Sequence, residues 1–151
     1  MDNVEASDSP IVKMVNDKID EQMALAEFDR FTECMALDVD EDDLDSEDLT
    51  SFLKQKKRIL KAIRRGTLVI NEHGEAIYTC SNRRTVYDKP LVFHERTGAS
   101  LMAMDGKKKN HEVSKTYAVM ADMCKVHQSV FAKMVGEDIK ICEALFALLM
   151  D

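Results

Sequence analysis

Glycine is scarce in this chain, five in 151 residues, too few for an enzyme that cradles a ligand in several flexible loops. No apolar run approaches the roughly 20 residues that a membrane-spanning helix needs. The N-terminus opens with Met1, Asp2, Asn3, Val4 and Glu5, without the basic and apolar regions of a secretory signal. No Gly-x-Ser-x-Gly, His-Glu-x-x-His or dinucleotide-binding glycine fingerprint occurs, so those hydrolase, metalloprotease and nucleotide signatures are absent. The four cysteines, Cys34, Cys80, Cys124 and Cys142, are far apart; they read as buried thiols of a reducing compartment, not as a disulfide framework. The expectation is a soluble, cytoplasmic, non-enzymatic protein with no cofactor and no metal.

What is present fits one ordinary domain. At 45% hydrophobic and 32% charged residues, the chain is neither a membrane protein nor a disordered one. A domain of this length buries roughly 70% of its unfolded surface. The net charge of −7 conceals an asymmetry. Residues 1–53 carry 17 acids against 3 bases, a balance of −14, and residues 54–151 carry 11 acids against 18 bases, a balance of +7. Such a chain has either an acidic arm that lies on its own basic body or two regions with separate tasks. The division drawn on this basis is an acidic helical region and linker over 1–48 and a compact domain over 49–151.

The periodicity predicts an α+β fold, mostly helical, with a small antiparallel hairpin or three-strand element in the middle. Ser9 and Pro10 suit a helix start. Apolar residues recur at helical spacing through Val12, Val15, Ile19, Met23 and Ala26, then through Leu25, Phe28, Phe31 and Met35. One long or two shorter helices over about 10–36 follow. Residues 38–48 form an acidic linker. Asp38, Asp40 and Asp42 have the 1-3-5 spacing of a calcium loop, but Asp43 stands where glycine is required and Leu49 where a bidentate glutamate is required. A helix from about Asp45 to Arg65 has acids at its start, bases at its end and Gly66 as its stop. Residues 67–71 and 75–79 read as a hairpin around Glu72, His73 and Gly74. A third extended piece covers about 85–93, with Pro90 confining it to an edge. Thr97 is expected to cap a helix holding Leu101, Met102 and Met104. Another helix over about 112–125 is expected to turn Val113, Tyr117, Met120, Met123 and Cys124 inward. Val130, Phe131 and Met134 form a short turn. The last helix starts near Glu137 and is apolar nearly all round at its end, so it is either deeply buried or covered by a partner.

Few constellations suggest chemistry. Residues 54–65 hold seven bases in twelve positions, a stripe able to track phosphates. It lacks aromatics for stacking on bases and adjoins the acidic linker, so nucleic-acid binding is the weaker reading and a solvated face the stronger. Gly98, Gly106 and Lys107 to Lys109 do not have phosphate-loop spacing. Cys124, His127 and Cys142 lack a fourth zinc ligand. His94-Glu95 and His111-Glu112 are sequence neighbours whose side chains do not face one another. Most of the ten methionines read as core fillers; the rest suit an adaptable surface for varied apolar helices.

The stretch from Lys89 to Asp105, KPLVFHERTGASLMAMD, followed by helices that end in DIKICEALFALLM over 138–150, resembles the small tail assembly chaperones of long-tailed bacteriophages. The resemblance covers roughly residues 83–150 and rests on the order of residue types. It implies a protein that binds the tape-measure protein, or another tail protein, and keeps it soluble in the host cytoplasm while the tail is built. The contact residues implied are Leu101, Met102, Met104, Phe131, Met134, Leu145, Phe146 and Leu149. The acidic N-terminal region departs from the family pattern. Two further readings are a structural virion or tail adaptor protein and a nucleic-acid-associated regulator using helix 54–65. Self-association is left open, and no membrane contact is expected.

Overall fold

Asp45 and Gly66 bound the most completely specified element. The Asp45 carboxylate accepts the Asp48 amide at 2.8 Å, and Gly66 takes a left-handed φ of 82°, so helix α2 runs Ser46–Arg65. A computed structural model describes residues 10–37, 40–105 and 112–150, with side chains from residue 21 onward. Before α2 come α1 (Pro10–Cys34) and a 3-10 turn (Glu41–Asp43) capped by Asp40. After it come β1 (Leu68–Ile70), β2 (Ala76–Tyr78), β3 (Leu91–Phe93), α3 (Gly98–Met102), α4 (Glu112–Cys124), α5 (Ser129–Ala132) and α6 (Glu137–Leu149). The fold is a predominantly helical α+β fold with one three-stranded antiparallel sheet, as the periodicity predicts.

The strands are short because their neighbours cut them off. Asn71 and Glu75 close the β1–β2 hairpin: the Asn71 side-chain oxygen accepts the His73 and Glu75 amides, both at 2.9 Å. Gly74 has φ 79°, and a Cβ there would lie 2.2 Å from the Cβ of Cys34. Glycine is therefore required twice, by the turn and by the contact with the end of α1. Pro90 delays β3, which pairs with β2 on one side only and forms an edge. In each strand the outer two residues face the core and the middle one does not: Leu68 and Ile70, Ala76 and Tyr78, Leu91 and Phe93 are buried.

α1 supplies Phe28, Phe31 and Met35 to the same core as the sheet and the C-terminal helices. It packs on α2 and β1, and the Arg30 guanidinium donates to the Asn71 and Ile70 carbonyls at 2.7 and 2.8 Å. The division expected at residue 48 therefore does not separate two cores. The second apolar stripe of α1 buries Phe28, Phe31 and Met35 but leaves its first member, Leu25, exposed, and Met23 of the first stripe is exposed as well. The side chains of Val12, Val15 and Ile19, and the Ser9 cap, lie outside the described residues, as do Asp38, Val39 and residues 106–111. α6 packs against α2 and buries Ile141, Cys142, Leu145, Leu148 and Leu149. Its all-round apolar character is thus met largely within the chain. In α4, Met120, Met123 and Cys124 are buried and Tyr117 is half-buried, but Val113 is exposed. It sits in the first turn, ahead of the buried stretch that begins at Ala118.

Candidate functional site

The eight residues implied as client contacts divide by burial. Phe131, Met134, Leu145 and Leu149 lie in the core, where they join helices to the sheet and present nothing to a second molecule. Phe131 stacks at a tilt against Phe93 and Tyr117, with centroids 6.5 and 6.4 Å apart. Phe146 and Met104 are half-buried against that core. Leu101 and Met102 are 38% and 67% exposed. Their position follows from the Thr97 cap: Thr97 and Ser100 form a reciprocal capping box, which starts α3 at Gly98 and turns Ser100 inward, leaving the next two residues outside. α3 packs on α4, whose first turn adds Val113, 65% exposed. Leu101, Met102 and Val113 are thus large apolar side chains exposed on two helices that pack together.

Two polar arrangements escaped the sequence reading. The first is the pair His94–Glu75, with Nδ1 2.6 Å from Oε2. Ala76 and Phe93 are register partners, so these two residues extend the β2–β3 ladder by one cross-strand pair. Glu75 is the partner of His94, not the adjacent Glu95. Burial pushes the Glu75 carboxyl up, but the Asn71 amide, the His94 bond and the histidine charges outweigh it and leave its pKa below the ordinary value. His94 makes no other side-chain hydrogen bond among the described residues, and no hydroxyl or thiol meets it there. The pair fastens a sheet edge.

The second is Asp138, fully buried in the first turn of α6. One oxygen accepts the Tyr78 hydroxyl at 2.5 Å and the Ser81 amide at 2.9 Å. The other accepts the Asn82 amide at 3.1 Å and the Thr85 hydroxyl at 2.8 Å. Desolvation raises its pKa, yet these donors prevail and hold it below the ordinary aspartate value. Tyr78 is driven far above its usual pKa by burial and by the same bond. Asp138 thereby ties the loop after β2 to the start of α6.

Of the four thiols expected to be buried, Cys124 and Cys142 are buried and Cys80 is half-buried, but Cys34, at the end of α1, is exposed. Burial pushes Cys80 up to about 11 and Cys124 up to about 12, and Cys142, whose Sγ meets the Met134 sulfur at 3.7 Å, well above its ordinary value. All three are protonated at neutral pH, so none is an activated nucleophile. His127 bonds Ser129 at 2.9 Å. Among the described residues no three His, Cys, Asp or Glu side chains converge on a point suited to a metal ion, and no helix is long and apolar enough to cross a membrane.

The basic stripe of α2 stands at the surface: Lys54, Lys57, Lys61, Arg64 and Arg65 are exposed. Lys56 and Arg58 are half-buried, and Lys56 is engaged with Glu41 at 3.3 Å and lies over the rings of Phe28 and Phe52 at 5.3 and 6.0 Å. Comparison of the chain with family models, curated proteins and solved structures finds no match.

Proposed function

We propose that the protein is a non-enzymatic client-binding module of the kind that the tail assembly chaperones of long-tailed phages represent. It acts in the host cytoplasm to hold a tape-measure protein, or another tail protein, soluble until the tail-tube subunits take over. The observation that carries this reading is the exposed apolar exterior of α3 and α4. Leu101, Met102 and Val113 are large apolar side chains left in water on two helices that pack together. A methionine-containing patch accepts varied apolar helices, because the thioether adapts its shape at little cost. The client surface is accordingly Leu101, Met102 and Val113, with Met104 and Phe146 beside the core. Phe131, Met134, Leu145 and Leu149 act only by holding that surface in place.

Co-expression with the tape-measure protein of the same genome, followed by pull-down and light scattering, tests the proposal. The wild-type chain is expected to keep the client soluble, and Leu101→Asp with Met102→Asp to release it while leaving the circular dichroism spectrum unchanged. A client that stays insoluble with the wild-type chain, or soluble with the double variant, refutes the reading. A tail adaptor, by contrast, would remain in purified particles, where mass spectrometry would find it.

A further inference from the structure

The α2 stripe takes no part in the proposed client surface, which different elements form. Lys54, Lys57, Arg58, Lys61, Arg64 and Arg65 make no ion pair among the described residues. Their spacing sets them along one side of the helix over about 16 Å. Like charges this close repel one another. Beside the stripe lies an open trough of about 580 Å³, to which α1 contributes Glu21 and the 3-10 turn Glu41. α2 lines the remainder, with Leu53 and Leu60 among Lys56, Lys57, Lys61 and Arg64. Leu53 is 44% exposed. It stands seven residues before Leu60, two turns along the same helix side.

We propose that this trough docks an amphipathic helix of a partner protein, one with an apolar seam at helical spacing and acidic flanks. Leu53 and Leu60 match a seam whose anchors also recur every seven residues. Lys57, Lys61 and Arg64 meet carboxylates beside the seam, and their charge sets the direction in which the partner lies. Glu21 and Glu41 on the opposite side favour an occupant of mixed polarity over a uniform polyanion.

That last feature decides between a protein and a nucleic acid. Duplex DNA presents one negative charge per about 1.7 Å, and its backbone would meet Glu21 and Glu41 in the trough. Across the stripe it would meet Glu137, which lines a second depression with Lys54, Lys57, Arg58, Lys61 and Arg65. Among the described residues no aromatic ring lines either depression, so bases have nothing there to stack on. A second copy of the chain is a poorer occupant as well. Its described acidic segment, residues 40–48, has only Leu44 as an apolar anchor.

The test is fluorescence anisotropy on the full chain with a labelled synthetic peptide about five helical turns long. Leucine occupies its seam and glutamate both flanks; a peptide of identical composition in scrambled order is the control. The seam peptide is expected to bind about tenfold more tightly than the scrambled one. Lys57→Glu with Lys61→Glu should abolish binding, and Leu53→Ser should weaken it, each with the circular dichroism spectrum unchanged because all three side chains are exposed. Leu101→Asp with Met102→Asp should leave it intact, so failure here and failure of the client reading are distinguishable. The proposal is overturned if the scrambled peptide binds equally or if charge reversal has no effect. It is equally overturned if a short DNA duplex binds more tightly and is lost on the same reversal, or if sedimentation shows that the trough instead pairs two copies of the chain.

Discussion

Asp138 shows how much of the fold can hang on one side chain. Glu137 and Asp138 open α6 much as Glu47 and Asp48 open α2, and either pair suits a helix N-terminus. Yet Asp48 is exposed and Asp138 is fully buried. The difference lies in partners 53 to 60 residues earlier in the chain, which no local pattern links to it; this is why the sequence reading passed over it. Asp138→Asn keeps the shape but sets an amide N–H₂ against hydroxyl and backbone donors. With two or more of those donors left unpaired, unfolding free energy is expected to fall by about 3 kcal/mol. Because the folded carboxyl titrates below its ordinary value of 3.8, its contribution is present above about pH 4 and is lost as the pH falls through the folded pKa. Urea unfolding of the two proteins from pH 7 to pH 3 should therefore show the gap narrowing only in the acid range. A gap constant down to pH 3 would mean that the carboxylate charge is not what holds the loop.

Three of the helices end by one device with three different residues. At the end of α1 the Leu37 amide reaches the Thr32 carbonyl, at the end of α2 the Thr67 amide reaches that of Ala62, and at the end of α4 the Val126 amide reaches that of Ala121. Each closure needs a left-handed residue just before it: Ala36 at φ 54°, Gly66 at 82° and Lys125 at 57°. The α2 terminus was legible because glycine announces it. The α1 and α4 ends were placed only to within one or two residues, since Ala36 and Lys125 are not residues that signal a stop. An L-residue pays about 1–2 kcal/mol for this conformation, while glycine loses about 0.5–1 kcal/mol through its freer unfolded chain. Ala36→Gly and Lys125→Gly should each raise stability by about 0.5 kcal/mol, the small difference of those two effects. Gly66→Ala should lower it by a similar amount. Urea midpoints decide, and a loss on either glycine substitution would contradict the account. Faces were harder to read than ends. The capping residues of α3 were visible in the sequence, but that Val113 stays outside while Leu145 and Leu149 go inside depends on how α4 meets β3 and α6 meets α2, both contacts between segments remote in sequence.

At the scale of the whole molecule the charge asymmetry has a structural answer. Composition left open whether the acidic half was an arm or a separate region; α1 lies on α2 and shares its core, so the two halves face each other in one body. Among the described residues one ion pair across that junction, Glu41–Lys56, comes within bonding distance. The remaining attraction between acidic and basic segments acts over longer distances, where salt screens it with a Debye length of about 10 Å at 0.1 M. Repulsion within residues 40–48 and within residues 54–65 is different in kind. Those charges are neighbours along the chain, so they repel in the unfolded state as well, and most of that effect cancels from the folding equilibrium. The net prediction is that stability falls as salt rises. Between about 0.01 M and 0.5 M sodium chloride the unfolding free energy should drop by about 1 kcal/mol, a size typical of partly exposed pairs. Urea, which carries no charge, is the denaturant to use. Glu41→Gln should remove part of the salt dependence along with part of the stability. A midpoint that rises with salt would show instead that self-repulsion of a body with net charge −7 dominates, and the acidic half would then be a source of strain tolerated for what it binds or repels.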